Sequence, residues 1–416
     1  MAKQPTPDRP LTVFVPEGFT GFQCARCGDC CTQPPPIRLS AARYPRLARA
    51  LNQSDFAYPL RDAVMKSDID PSEPVTFALV GERCAFRTES GTCHLCDIGV
   101  PELRGLWCIT FPVTPLVTPR GVNYALSFAC PQTVALLRPR RPLNILALSM
   151  PGPPPPSVVR PLTARHVIPV ACGRHGLDWT AHRLIEGLLL AVARDWQINL
   201  SDRLTLMPVM LDHLLKDYAG PDSNAALRQR VTQAGQQLSE MVRHARTFRP
   251  DPAAHYEALA GVFGRRIGLR TRSRIRTLVE DAMRQVRGRR TKVKMSELGG
   301  LLAALYSKHY KPRAARLEHV LGNYAICRLF ASPEMLLGGV YKGLYVVCYL
   351  VALARFLATT TAAGRGSAVN LNILLDAVRT VEKVFYQPRT VFDFLDADDE
   401  QMRMLDPAAA AALVRI

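Results

Sequence analysis

The spacing of hydrophobic and polar residues divides the chain into a first third of short strands and a longer helical remainder. Three segments have the β-branched or alternating pattern of strands: Thr12 to Val15, Val75 to Val80 and Gly121 to Phe128. The segment from Ala41 to Leu51 has the pattern of a short helix. From about residue 178, apolar residues recur every three or four positions, which predicts helices. The predicted helices begin at Asp178 or Thr180 and at Ser201, and others lie near 223–246, 271–288, 296–309, 314–330, 333–360 and 369–386.

This pattern predicts a mainly α fold. A small, irregular α+β module, cysteine-rich and metal-binding, is expected over residues 1–150, and an irregular all-α domain over residues 178–416. Residues 151–177 are dense in proline, which fixes φ and lacks a backbone donor, so we expect a stiff connector there.

The longest apolar run extends from Gly343 to Ala354. It has about 12 residues, fewer than the ~20 needed to cross a bilayer, so it predicts a buried core helix and no transmembrane segment. The first ten residues contain no apolar stretch of the kind found in secretory signals. We therefore expect a cytoplasmic protein.

Cysteine is concentrated in the first third of the chain, which holds nine of the twelve cysteines. Four of them form the motif Cys24-x-x-Cys27-x-x-Cys30-Cys31. Disulfides are rare in a reducing compartment, whereas soft thiolates select zinc, copper(I) or iron–sulfur clusters. The pattern therefore favours a metal site over a disulfide framework.

The spacing of the first three cysteines resembles the start of a bacterial ferredoxin cluster motif. The usual fourth ligand position of that motif is Pro34, so other ligands must come from farther along the chain. A 4Fe-4S cluster is the preferred prediction, and zinc is the alternative. The predicted ligands are Cys24, Cys27, Cys30, Cys31, Cys84, Cys93, Cys108 and Cys130. Cys172, Cys327 and Cys348 are expected to be ordinary buried residues.

Much of the formal net charge of +18 is concentrated in residues 265–294, where twelve Lys or Arg face only Glu280 and Asp281. Such a block suits an acidic protein partner or nucleic acid, and a plain solvated helix face is the simpler interpretation. It lacks the interleaved aromatic residues on which single-stranded bases stack.

The cysteine motif and its surroundings resemble a known family. Residues Phe22 to Cys31 resemble the CxxCxxCC signature of cysteine-cluster proteins that chelate zinc or iron. Four further segments resemble the flagellin lysine N-methylases. They are Cys84-Ala-Phe, Gly91-Thr-Cys93, Leu103 to Cys108 with Phe111-Pro112, and Leu126 to Ala135 with Cys130-Pro131. Weaker similarity continues at Arg203-Leu204, Leu317-Glu318 and Asn323-Tyr324.

The resemblance implies methyl transfer from S-adenosylmethionine to lysine side chains of flagellin, with an iron–sulfur cluster involved. No strand followed by a glycine-rich loop and a helix marks a common nucleotide-binding fold here. Glu318, His319, Asn323 and Tyr324 lie together at helical spacing, and an ordinary polar helix face is the simpler interpretation of this group. We predict Glu318, Asn323 and Tyr324 as catalytic groups that handle the lysine proton. A non-catalytic zinc- or iron-binding protein and a basic nucleic-acid adaptor are the competing hypotheses.

Overall fold

The computed structural model describes residues 10–20, 22–32, 37–56, 59–66, 75–81, 83–151, 176–249, 295–330 and 339–385, with a few shorter stretches between and after them. Helices dominate, and the few strands lie in the first 150 residues. The predicted class, mainly α with a small α+β region at the N-terminus, is confirmed.

The strands form three small sheets. They are β1 (Leu11–Pro16), β2 (Arg38–Leu39), β3 (Val64–Lys66), β4 (Val75–Phe77), β5 (Leu79–Val80), β6 (Arg83–Cys84), β7 (Val113–Thr118), β8 (Gly121–Leu126) and β9 (Ile145–Met150). The largest sheet has the order β7-β8-β1-β9, with β1 parallel to β8 and the other neighbours antiparallel.

In the continuous stretches that the structure describes, five short helices lie among these strands and eight longer ones follow. The short ones are α1 (Tyr44–Asn52), α2 (Leu60–Ala63), α3 (His94–Asp97), α4 (Leu106–Thr110) and α5 (Pro131–Val134). The longer ones are α6 (Trp179–Arg194), α7 (Leu200–Leu215), α8 (Asn224–Gln236), α9 (Leu238–Ala245), α10 (Met295–Leu305), α11 (Ala314–Leu329), α12 (Val340–Gly364) and α13 (Leu371–Phe385).

One helix start differs from its prediction. Asp178 caps α6 as expected, because its carboxylate accepts a hydrogen bond from Ala181 N at 2.7 Å. The cap of α7, in contrast, is Asn199, which accepts from Asp202 N at 2.9 Å. Ser201 was the predicted cap, but it lies inside α7 and its hydroxyl donates to Val414 O at 2.8 Å.

The hydrophobic cores divide the chain differently from the predicted boundaries. One small core is formed by residues between Ile37 and Leu103. The other contains Val15, Leu116 and Leu126 from the large sheet together with the helices from α6 onwards. The large sheet therefore packs with the helical part. The small core is formed by the segment inserted in the chain between β1 and β7.

Helix α12 is the centre of the large core. Among the helices that the structure describes, it alone is long and apolar enough to span a membrane by length and composition, but 89% of its most apolar window is buried in the fold. Tyr349, Leu353 and Phe356 are fully buried against neighbouring helices. The prediction of a buried core helix around Gly343 to Ala354 is confirmed.

Some predicted features fall outside the described residues. These are Cys172, most of the proline-rich connector 151–177 and most of the basic block 265–294. Of the predicted helix 271–288, only 277, 279–284 and 286 are described, and all of these are helical.

Candidate metal centre

The cysteine loop, residues 24–31, turns sharply through two left-handed residues. Arg26 has φ 51° and Gly28 has φ 71°. A short 3-10 turn follows over Asp29–Cys31, closed by a hydrogen bond of 3.0 Å from Cys31 N to Gly28 O. The motif therefore folds back on itself, as a ligand loop must if nearby thiols are to face a shared centre.

The cysteine loop packs directly on the turn between Cys84 and Cys93. A Cβ atom on Gly28 would lie 2.1 Å from Gly91 O and 2.8 Å from Arg87 Nε. Thr32, at the end of the loop, pairs with Arg83 in β6. The residues between Cys84 and Cys93 form a hairpin, because Arg87 pairs with Cys93 across the Thr88 to Gly91 turn. Only glycine permits this approach.

Four thiols from three separate segments interact electrostatically: Cys30, Cys84, Cys93 and Cys108, which we call the thiol cluster. Burial raises the pKa of the Cys84 thiol to about 12, and the Cys93 and Cys30 thiols add to this effect. Burial also raises the pKa of Cys108 strongly, and Cys84, Cys30 and Cys93 all contribute. The structure thus brings part of the N-terminal motif to the distant cysteines.

The remaining predicted ligands lie around this cluster. Cys31 Sγ is 4.0 Å from Cys30 Sγ, and this contact is the main cause of the raised pKa of Cys30. Burial raises the pKa of Cys130, with smaller contributions from Cys27 and Cys30. Cys24 is exposed and its sulfur accepts from Arg26 N at 3.4 Å.

By their chemistry, these thiols are ligands of the kind that soft metals prefer. Eleven cysteines are described, and all are free of disulfides. Close, partly buried thiols repel one another as thiolates, so a cation is required to hold several of them ionised together. In their present rotamers, no three His, Cys, Asp or Glu side chains among the described residues converge tightly enough to hold an ion. The cluster is therefore a set of neighbouring thiols and not an assembled set of ligands.

Two arginines border the cysteine loop and offer donors to it. Arg87 lies against Gly28, and its Nε is buried with no hydrogen-bond partner among the described residues. Arg379, on α13, pairs with Asp29 within the loop, and its Nε is likewise unpaired. The guanidinium that lowers the pKa of a thiol in the cluster is that of Arg104, which acts on Cys108 against the larger effect of burial.

Helix α13 fixes two ligand segments at once. Arg379 pairs with Asp29, and Lys383 Nζ lies 3.8 Å from the same carboxylate. One turn along, the fully buried Glu382 accepts a hydrogen bond of 3.0 Å from Phe128 N, two residues before Cys130. The cysteine loop and the Cys130 segment are therefore both attached to one rigid element.

Removing the charge of Asp29 is expected to loosen the cysteine loop. The pair with Arg379 is partly exposed, so Asp29→Asn should cost only about 1 kcal/mol, which corresponds to metal release about five times faster into a chelator. High salt should reduce the difference. The matched control is Asp376→Asn, which removes a carboxylate 3.2 Å from Arg379 Nη1 without touching the loop. Equal release from both variants would contradict the role of Asp29.

Two of the three predicted catalytic residues have structural roles. Asn323 is fully buried, accepts from Leu143 N at 3.0 Å and donates to Pro139 O at 2.9 Å. Tyr324 is fully buried and donates to Glu382. Glu318 is 24% exposed and lies 4.0 Å from Arg355 Nη2. A catalytic role for the three residues stays a prediction. The burial and hydrogen bonds of Asn323 and Tyr324 also explain why these polar residues stand at their positions.

Two ring side chains are sequence neighbours of thiols in the cluster. His94 packs on Phe56, and its Nε2 contacts Ser54 Oγ at 3.2 Å. Trp107, beside Cys108, is half-buried with its ring 5.7 Å from that of Phe111. No local sequence pattern indicated that Asp29, Arg379 and Glu382 hold these segments together, because their partners are hundreds of positions away in the sequence.

Comparison of the chain with protein-family models, with curated proteins and with solved structures gave no match. The resemblance to the flagellin lysine N-methylases therefore depends on the motifs within residues 22–135 and remains a hypothesis.

Proposed function

We propose that this chain holds a thiolate-ligated metal centre between the cysteine loop and the segments of Cys84, Cys93 and Cys108. The observation that carries the proposal is the packing of the cysteine loop on the turn between Cys84 and Cys93, where Gly28 meets Gly91. The effects of Cys30 and Cys93 on the pKa of Cys84, and of these three thiols on the pKa of Cys108, support it. Cys130, Cys27, Cys24 and Cys31 complete the candidate ligand set.

A 4Fe-4S cluster is the preferred occupant and zinc the alternative. The surplus of thiols over the four needed for one cluster supports iron–sulfur chemistry, as does the ferredoxin-like spacing of Cys24, Cys27 and Cys30. When bound, such a group supplies Lewis acidity or electron transfer. Arg87 and Arg379 would donate hydrogen bonds to its sulfur atoms and so adjust its charge.

We further propose that the centre serves S-adenosylmethionine-dependent methylation of a lysine on a flagellin-like protein. In this reaction the neutral ε-amine attacks the sulfonium methyl group, the C–S bond breaks, S-adenosylhomocysteine leaves and a proton passes to a base. The motifs quoted from residues 22–135 support this activity. A cytoplasmic location belongs to the same proposal, and the free cysteines of the described part are consistent with it.

The activity is tested with full-length protein purified anaerobically. Incubation with S-adenosylmethionine and flagellin is expected to give methyl-lysine by mass spectrometry, and the Cys84→Ser variant is expected to give none. A wild-type protein that carries metal but neither methylates flagellin nor binds S-adenosylmethionine would contradict the enzyme hypothesis. The competing proposal of a non-catalytic zinc- or iron-binding protein would then be favoured.

A further inference from the structure

One cysteine beside the thiol cluster lies outside the candidate ligand set. Cys96 follows the candidate ligand Cys93 by three residues, in the sequence Cys93-His94-Leu95-Cys96. Two cysteines at this spacing occur both in metal sites and in dithiols that form a reversible disulfide. Both thiols are free and partly exposed, so a small reagent in solution can reach them.

The backbone holds the two cysteines one turn apart. Cys93 is the extended residue before α3, with φ −108° and ψ 120°. Its carbonyl accepts a hydrogen bond of 2.9 Å from Cys96 N, which closes a four-residue turn. Such a turn brings its first and last Cα atoms to within about 7 Å, and disulfides usually join Cα atoms about 4.4–6.8 Å apart. The turn therefore places the pair at a separation that a disulfide can span.

Contacts on both sides of Cys93 fix this turn in the small module. Arg87 pairs with Cys93 across the hairpin, and His94 N donates to Phe86 O at 2.8 Å. Leu95, between the two cysteines, is fully buried in the small core. Because the backbone is already held in the turn, closing the disulfide needs only rotation of the two side chains.

The thiol of Cys93 contacts both Cys96 and the thiol cluster. Burial raises the pKa of Cys93 to about 11, and the charge of Cys96 and a hydrogen bond with its thiol add to this effect. Cys93 in turn contributes to the raised pKa of Cys84 and of Cys108. Cys93 is therefore the member of the cluster that has a second thiol partner within reach.

We propose that Cys93 and Cys96 form a reversible disulfide that withdraws Cys93 from the thiol cluster. Its effect on a bound metal rests on the proposed function, because a sulfur atom in a disulfide is no longer the thiolate that a soft metal binds. The pair makes the centre sensitive to oxidation: it keeps its metal under reducing conditions and releases it when the disulfide forms.

The oxidant is a low-molecular-weight disulfide, and oxidised glutathione is the probe. Cys96 reacts first, because it is not a ligand of the proposed centre. Its thiolate attacks one sulfur of the probe, the S–S bond of the probe breaks and one glutathione thiolate leaves. The Cys93 thiolate then attacks the Cys96 sulfur of the mixed disulfide, and the second glutathione leaves. The protons of the two cysteines pass to the leaving thiolates, so two thiols are oxidised while the probe is reduced to two thiols.

The test treats the full chain, purified without oxygen, with oxidised glutathione, alkylates the remaining thiols and digests the protein with trypsin. Cys93 and Cys96 are the only cysteines between Arg87 and Arg104, so one peptide of residues 88–104 reports on the pair. We expect mass spectrometry to find this peptide unalkylated and two hydrogen atoms lighter than its reduced form. Both cysteines alkylated, or a disulfide between other cysteines in its place, would overturn the proposal.

Cys96→Ser separates the disulfide from the metal site. The variant lacks the reacting thiol but keeps every candidate ligand, so it should contain as much metal as the wild type when reduced. We expect oxidised glutathione to release metal at least tenfold faster from the wild type than from Cys96→Ser. Cys348→Ser, in the large core, is the matched control and should release metal as fast as the wild type. Equal release from wild type and Cys96→Ser would overturn the proposal.

The two readouts distinguish failure of this proposal from failure of the proposed function. A reduced wild-type protein without metal would contradict the proposed metal centre. The peptide of residues 88–104 would still decide whether Cys93 and Cys96 pair, since its mass does not depend on metal. A protein that holds metal when reduced and yields only the alkylated peptide after oxidation would overturn the disulfide and leave the metal centre in place.

Discussion

Replacing Cys84 with Ser is expected to abolish the metal centre. Cys84 is 6% exposed and interacts with both Cys30 and Cys93, so its thiol is the inner member of the cluster. A hydroxyl is a poor ligand for a soft metal, and a thiolate site of this kind contributes about 10 kcal/mol or more to folding when metal is bound. Metal content measured by elemental analysis should fall at least tenfold, and the thermal transition should move sharply downward.

Cys348→Ser is the control for the change of sulfur to oxygen. Cys348 is fully buried in the helical core, where its thiol contacts Leu204 O at 3.7 Å, and a serine hydroxyl can make the same bond. This variant should lose about 1 kcal/mol of stability and keep its metal. Full metal content in Cys84→Ser, or equal loss in both variants, would remove Cys84 from the ligand set.

Replacing Gly28 with Ala is expected to displace the cysteine loop. The new methyl would lie 2.1 Å from Gly91 O, a backbone atom of the opposing turn that cannot rotate away. The left-handed φ of 71° adds strain of about 1–3 kcal/mol for a residue with a side chain. Because loop and turn carry ligands on both sides of the centre, metal content should fall along with stability.

Gly99→Ala separates the two causes. Gly99 belongs to the same small module and has a similar φ of 77°, but nothing lies within 4 Å of the position its Cβ would take. This variant should lose stability only through the conformational strain, and it should retain its metal. If Gly28→Ala also retains metal, the loop does not need its contact with Gly91.

Much of the helical part follows from periodicity, because amphipathic spacing and caps are local signals. The predicted helices at 296–309, 314–330 and 369–386 correspond to Met295–Leu305, Ala314–Leu329 and Leu371–Phe385. The prediction placed the cap of α7 at Ser201, although Asn199 is as good a cap by residue type. Local sequence did not distinguish the two, and the contact of Ser201 with Val414 is long-range.

Strands were harder to predict than helices. Val113–Thr118 contains Pro115, and Ile145–Met150 is mostly aliphatic without alternation, so neither showed a clear strand pattern. Both are strands because β8 and β1 pair with them. The inclusion of this sheet in the helical core is likewise a tertiary effect, and a boundary drawn from composition at residue 150 misses it.

The cysteines of the candidate site stood out in the sequence, whereas the contacts that support them did not, and the role of those cysteines as ligands stays a prediction. Cysteine spacing identified the loop, and the structure places Cys30 near Cys84, Cys93 and Cys108. The attachment of the loop to α13 through Asp29 and Arg379 joins residues 350 positions apart. No single-sequence pattern reports such a pair, because each partner is an ordinary charged residue in its own segment.

The most direct test of the central claim is the metal and sulfide content of the full chain purified without oxygen, together with its visible spectrum. The account predicts a bound soft metal, either iron with matching sulfide and thiolate-to-iron absorption or zinc without colour. A protein that contains neither iron nor zinc, with its cysteines fully reactive towards thiol reagents or paired as disulfides, would contradict it.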